Sequence, residues 1–185
     1  MPSPRHRRST GSANPPPRPV PFEEVVREYE KALFGAALRI VGDRDLAEDV
    51  LQSAFLKAYN ALPSLKPGSN LRAWLYRILV NTAYDHLERR KTYARALEAA
   101  ASRAPAASRG YDESEADRQR ELSRSVEAAV RSLPARYRDA LLLRSIQGLS
   151  YAEVAEALGI PETTARSLVH RGKQMLVPKL AAWME

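Results

Sequence analysis

A chain of 185 residues, 44% hydrophobic and 28% charged, can bury one or two cores, but no apolar run in it reaches the roughly 18 residues that cross a bilayer, so membrane insertion is not expected. Cysteine is absent, which rules out disulfides, thiolate metal sites and a cysteine nucleophile and suits a reducing cytoplasm; the three histidines (His6, His86, His170) lie too far apart to suggest a metal centre. The net charge of +7 is uneven: residues 1–21 hold four arginines and no acid, whereas residues 22–91 and 125–185 carry excesses of only +1 and +2, so placement within the helices decides more than overall basicity.

No apolar signal core follows Met1, so export by that route is not expected and a cytoplasmic protein is. Residues 1–21, rich in Pro, Ser and Arg, are expected to be disordered, as a solubilising extension or a loose attraction for phosphate. From Phe22 the spacing turns helical: Phe22, Val25, Val26, Tyr29, Leu33, Ala36, Ala37, Ile40 and Val41 recur every three or four residues, and Gly42 supplies a left-handed stop. Asp45 leads a second predicted helix with Glu48 in the capping-box position and an apolar stripe of Leu46, Val50, Leu51, Ala54, Phe55, Ala58, Tyr59 and Leu62. A Pro- and Gly-containing loop follows, and Asn70 caps a third helix from Leu71 to about Lys91, with Leu71, Trp74, Leu75, Ile78, Leu79 and Leu87 inward.

Residues 92–121, dominated by Ala, Arg, Ser and Glu and broken by Pro105 and Gly110, read as a flexible linker. Leu122, Val126, Val130 and Leu133 begin a second helical block; Pro134 opens the next segment and Gly148 ends it. Ser150 and Glu153 then form a capping box, Gly159 breaks the short helix, Ile160 plugs the turn, and Pro161 takes the first position of a last helix with Ala165, Leu168, Gly172, Met175 and Leu176 inward. This is a helix-turn-helix. The prediction is therefore an all-α protein: a tail (1–21), an N-terminal helical domain (22–91), a linker (92–121) and a C-terminal helix-turn-helix domain (122–180).

Three outer faces carry chemistry. At about 100° per residue, Thr163, Arg166, His170 and Lys173 lie opposite the apolar stripe of the last helix, flanked by Ser167, Arg171 and Gln174: donors for phosphates and long side chains for base edges in a major groove. The third helix is net basic and shows Arg77, Asn81 and Tyr84 on its non-core side, a set suited to single-stranded DNA, with cation for backbone, amide for base edge and ring for stacking. For Tyr84, core packing, partner contact and DNA contact all remain open, whereas Trp74 belongs with the core. Asp85 and His86, as helix neighbours, diverge and make no acid–base pair. The second helix collects Asp43, Asp45, Glu48 and Asp49 at its start and Gln52, Ser53 and Lys57 beyond; these acids either answer the helix dipole or form a docking surface for a basic partner.

Three segments, in order, resemble the extracytoplasmic-function sigma factors of bacterial RNA polymerase. DRDLAEDVLQSAFLKAY is similar to the family's core-polymerase-binding segment, NLRAWLYRILVNTAYDHLERR to its minus-ten-reading helix, and LPARYRDALLLRSIQGLSYAEVAEALGIPETTARSLVHRGKQML to its minus-thirty-five-reading domain. The resemblance implies a non-enzymatic initiation factor without cofactor or metal, partnered by core polymerase and promoter DNA and held in check by an anti-sigma factor. The Asp43–Tyr59 helix, with Asp45, Glu48, Asp49, Gln52 and Ser53, would dock on the clamp helices of the largest polymerase subunit. The loop Leu65–Asn70, with Lys66 and Ser69, would join Asn81 in holding a flipped base of the melted non-template strand. Arg144, Arg166, Ser167, His170, Arg171 and Lys173 match positions that touch the upstream element. His170 stands where an aromatic is often seen, and Leu168 where a basic residue is common, which implies one phosphate contact fewer there. The linker would thread the polymerase channel toward the RNA exit. A stand-alone helix-turn-helix regulator would instead need a dimerisation surface or ligand pocket, and a nucleic-acid enzyme a phosphate loop or converging carboxylates.

Overall fold

The computed structural model describes residues 21–100, 126 and 128–181, and every regular element among them is helical. The tail before Pro21 and the expected linker from residue 101 to 121 lie outside the described residues, as does Leu122. Helix α1 (Phe22–Val41) stops at Gly42, whose φ of 74° lets its N–H turn back to Leu38 O at 2.8 Å. Helix α2 (Arg44–Ala61) begins two residues later, with Asp43 as its N-cap: the carboxylate accepts from the Leu46 N–H at 3.1 Å. This corrects the expected start at Asp45 with Glu48 in a capping box. Asp43 is the residue with an extended backbone at the boundary, and Glu48 pairs instead with Arg44 one turn back at 3.2 Å.

A 3-10 turn (Leu62–Ser64) and a loop lead to α3 (Leu71–Ala100), capped as expected by Asn70, whose side-chain oxygen accepts from the Ala73 N–H at 3.1 Å. Helix α3 runs on past Lys91 to Ala100, so the first part of the expected linker is helical. Its sequence there, TYARALEAA, contains strong helix formers and neither Gly nor Pro. In the C-terminal half, Pro134 caps α4 (Ala135–Leu141), which passes into a π-helical turn (Leu142–Ile146). Helix α5 (Tyr151–Leu158) and helix α6 (Glu162–Ala181) form the helix-turn-helix. Pro161 sits one place earlier than expected: its carbonyl accepts the first intrahelical bond, from Ala165 at 3.0 Å, which makes it the cap.

Helices α1, α2 and α3 pack on one another, α4 and α5 pack on α6, and α3 packs on α5. The two halves are thus in contact, and their buried side chains form one cluster, from Val25, Leu33 and Leu79 on one side to Leu143, Leu149 and Val169 on the other. Each fully buried leucine contributes roughly 2 kcal/mol. Three residues given inward positions by spacing lie outside this core: Tyr59 is 60% exposed, Ile146, in the segment opened by Pro134, 48% and Met175 37%. The Tyr59 ring leans edge-on against Phe22 at the rim of the bundle, 5.2 Å between centroids. Met175 is turned about 80° from Ala165 on the helical wheel, and Val169, unassigned from spacing, fills the core in its place.

Candidate nucleic-acid interface

The last helix is aimed by the local chemistry of the turn before it. Ser150 Oγ accepts from the Glu153 N–H at 3.2 Å and Glu153 Oε2 accepts from the Ser150 N–H at 2.7 Å, so the expected capping box is complete. Gly159 adopts the left-handed conformation and Ile160 packs on the core beneath the turn. With α5 and the turn so held, α6 presents Thr163, Arg166, Ser167, His170, Arg171 and Lys173, all exposed. Ser167 donates to the Thr163 carbonyl at 3.0 Å. Arg166 donates to Glu162 from Nη2 at 2.5 Å and from Nε at 3.2 Å, and its guanidinium lies 4.6 Å from the centre of the Tyr151 ring.

Arg144 reaches the same ring from the π-helical turn, at 4.8 Å, while its Nη1 donates to Leu149 O at 2.9 Å. Tyr151 thus gathers two arginines from separate elements, a role that sequence reasoning missed; an aromatic directly after a helix cap was the available signal. Arg136 and Tyr137 on α4 face Thr163, Ser167 and Arg171 across an open cleft; apolar spacing after Pro134 takes in Tyr137 but gives no role to Arg136.

The second face is less free. In the loop, Lys66, Ser69 and Asn70 are exposed and Leu65 is half-buried, and on α3 both Arg77 and Asn81 are exposed. Tyr84 is half-buried: its hydroxyl donates to Asp139 and accepts from Arg138 Nη2 at 3.2 Å. Its ring packs against the core, and its hydroxyl is engaged by the other half of the same chain. Burial pushes the Asp139 carboxyl above its usual range, against the hydrogen bond from Tyr84 and the attraction of Arg138, and burial also pushes the Tyr84 phenol up. Three more contacts join the halves. Asn70 Nδ2 donates to Glu153 Oε1 at 3.1 Å, Arg72 donates to the Gln147 carbonyl, and Tyr76 donates to Gln147 Oε1 at 2.9 Å. Trp74 packs half-buried against the core.

The third face lies on α2. Asp45, Asp49 and Gln52 are exposed and fall on one line with Leu56 (66% exposed) and Tyr59, all within about 40° of Asp45. Acids therefore lead into an apolar end that spacing did not reveal; a leucine off the inward stripe was the clue. Ser53 is half-buried, its hydroxyl 3.2 Å from His86 Nε2, and Lys57 pairs with Asp85 at 2.9 Å, so Asp85 and His86 point to different partners. Asp43 is held below the usual carboxylate range first by the Leu46 N–H and then by Arg90, 2.9 Å away. Among the described residues no group of His, Asp and Glu converges as a metal site, and no helix is long and apolar enough to cross a membrane.

Two family models match the chain in the same order: Sigma-70 region 2 over residues 25–93 and Sigma-70, region 4 over residues 123–176. The ECF RNA polymerase sigma factor SigE of Mycolicibacterium smegmatis is 34% identical over 86% of this chain, which spans 62% of that relative's length. The ECF RNA polymerase sigma factor SigW of Bacillus subtilis is 30% identical over 86% of this chain and 88% of its own. Among solved structures, the sigma factor RpoE of Bartonella quintana, in complex with the anti-sigma factor NepR, aligns with a TM-score of 0.69 at 27% identity, covering 86% of this chain and 96% of that one. The alternative of a stand-alone regulator is set aside: two helical halves in this order, with these relatives, place the chain in the extracytoplasmic-function family of RNA polymerase sigma factors, non-enzymatic proteins of transcription initiation.

Proposed function

We propose that this chain acts in the cytoplasm by joining core RNA polymerase and directing initiation at promoters with two recognition elements. The outer face of α2, with Asp45, Glu48, Asp49, Gln52 and Ser53, docks on the clamp helices of the largest subunit. Helix α6 enters the major groove of the upstream, minus-thirty-five element, where Arg166, Ser167, His170 and Arg171 face base edges and Thr163, Lys173 and Arg144 face the backbone. In the minus-ten element the loop residues Leu65, Lys66, Ser69 and Asn70 and the α3 residues Arg77, Asn81 and Tyr84 trap the melted non-template strand. The domains are residues 22–91 and 122–180, and their tether lets one element raise the effective concentration of the other.

The observation that carries this reading is the face of α6: six polar or basic side chains, all exposed, on the second helix of a helix-turn-helix whose first helix is capped at both ends. The solved relative bound to an anti-sigma factor supports the same kind of partner for this chain. With only small positive excesses in the folded halves, the chain alone binds DNA weakly, and polymerase supplies the remaining affinity. Because Asn70 and Tyr84 contact the C-terminal half, loading the minus-ten strand requires the halves to part.

Run-off transcription with purified core polymerase on a promoter library tests the proposal. Arg166→Ala and Arg171→Ala each lower specific initiation about tenfold or more, as loss of a base contact of about 1–3 kcal/mol requires. Asp49→Arg retains helical circular dichroism but no longer co-purifies with the core enzyme. Normal run-off from both arginine variants removes the recognition face, and unchanged co-purification removes the docking face.

A further inference from the structure

The cleft between α4 and α6 holds a cation that the two-element reading leaves unused. Arg136 is exposed, and its guanidinium lies 4.7 Å from the centre of the Tyr137 ring while Nη2 donates to the Tyr137 hydroxyl at 3.0 Å. Tyr137 is 9% exposed, and its carbonyl abuts α6 at Gly172, where an added Cβ would come within 3.3 Å. The arginine is therefore mounted on the recognition helix through a fixed aromatic plate instead of swinging in solvent. No ion pair among the described residues engages it, whereas Glu162 holds Arg166. Opposite Arg136 stand Thr163, Thr164, Ser167 and Arg171, and Leu168 between them offers no donor. Beside the base-reading Ser167 and Arg171, the lining offers the Arg136 guanidinium and the Thr163 and Thr164 hydroxyls, and it contains no carboxylate. That is a seat for an anion, and beside a helix that enters a major groove the anion is a backbone phosphate of the duplex.

We propose that Arg136 is a phosphate clamp for the upstream element, gripping the backbone from α4 while α6 reads the bases. The inference rests on the reading of α6 as the upstream-element helix. Arg136 carries no sequence information of its own; it sets the depth and register of α6 in the groove, from the flank where Leu168 cannot contribute.

The test uses holoenzyme assembled from the full chain and core polymerase, bound to a promoter that the wild-type holoenzyme selects, over a series of salt concentrations. Arg136→Ala lowers affinity about tenfold and reduces the slope of log affinity against log salt by about 0.9, equally on the selected promoter and on one with altered upstream base pairs. Arg136→Lys, which keeps the charge, retains most of the slope. Arg171→Ala, in contrast, loses the discrimination between the two promoters. An unchanged slope and affinity in Arg136→Ala, with circular dichroism intact and discrimination still lost in Arg171→Ala, overturns the clamp alone. Retained discrimination in Arg171→Ala overturns the reading of α6 on which the clamp depends.

Discussion

The two surfaces proposed to face DNA differ in readiness. On α6 every proposed contact residue is exposed, and the arginines are steadied by local partners such as Glu162 and Tyr151. On the α3 side Arg77 and Asn81 are exposed, but Tyr84 and Asn70 are engaged by Asp139 and Glu153 of the other half. The cause is chemical. A face built from tyrosine, arginine and amide groups satisfies itself on any neighbouring carboxylate or carbonyl, and the C-terminal half offers Asp139, Gln147 and Glu153 at the right places. The proposed upstream surface is thus free in the chain alone, while in the proposed downstream surface Tyr84 and Asn70 are released only when the halves separate.

The largest effect is expected where that contact is most buried. Asp139 is 3% exposed, so Asp139→Ala strands the Tyr84 hydroxyl and the Arg138 guanidinium and costs about 2–3 kcal/mol in urea unfolding. Asp139→Asn keeps an acceptor for Tyr84 and removes a desolvated charge, and it costs under about 1 kcal/mol. Equal losses in the two variants would transfer the role from the hydrogen bond to the charge. The pH dependence has a definite sign. The folded carboxyl sits above its ordinary 3.8, so the folded chain binds this proton more readily than the unfolded one. Its contribution is complete below that value and is lost as pH rises through the raised one, and Asp139→Asn abolishes this part of the profile.

This contact also marks where the sequence stops being informative. The helix-turn-helix was readable residue by residue because its signals are local: the Ser150–Glu153 box, the Gly159 stop and the outward polar face all lie within one or two turns. The same locality explains the smaller errors. Asp43 and Asp45 are both competent caps in composition, and only the backbone angle at Asp43 decides between them. Alanine-rich residues after Lys91 suit a linker by composition and a helix by propensity, and with no breaker before Pro105 the helix continues to Ala100. Tyr84 and Asp139, in contrast, lie 55 residues apart and share no pattern, so periodicity could show that each faces outward from its own element but not that they meet. The apolar end of the α2 face was hidden for another reason: Tyr59 fits the inward stripe by spacing, yet its position at the rim of the bundle leaves it in solvent.

A smaller change separates closure from DNA contact. Tyr84→Phe removes both hydroxyl bonds, to Asp139 and from Arg138, at a cost of about 1–2 kcal/mol, and keeps the ring proposed to stack on a base. Because the chain has no cysteine, single cysteines at exposed Asn60 and Glu156 accept a donor and an acceptor dye cleanly. Energy transfer falls in Tyr84→Phe, and the free chain binds a single-stranded minus-ten oligonucleotide about fivefold more tightly, while binding of upstream duplex is unchanged. Tighter binding to both ligands would mean a general loosening and would erase the contrast between the faces; unchanged energy transfer would show that the Tyr84 bond does not hold the halves together.

The smallest effect concerns the other end of the contact. The Glu153 carboxylate is held below its ordinary 4.5 first by the Ser150 N–H, with the Asn70 amide adding to it. Here the sign is the reverse of that at Asp139: the contribution is present above 4.5 and is lost as pH falls through the lowered value. Glu153 is partly exposed and screened, so the loss amounts to a few tenths of a kcal/mol, read as a shallow slope in urea midpoint against pH that Glu153→Gln removes. Acid therefore acts oppositely on the two ends of one interface, loosening the Asn70 end while favouring the protonated, buried Asp139 at the Tyr84 end. Amide hydrogen exchange at the start of α3 should quicken in acid relative to the middle of that helix, after correction for the intrinsic exchange rates. A uniform change along α3 would mean that the interface opens as one unit and that its two ends are not separately titrated.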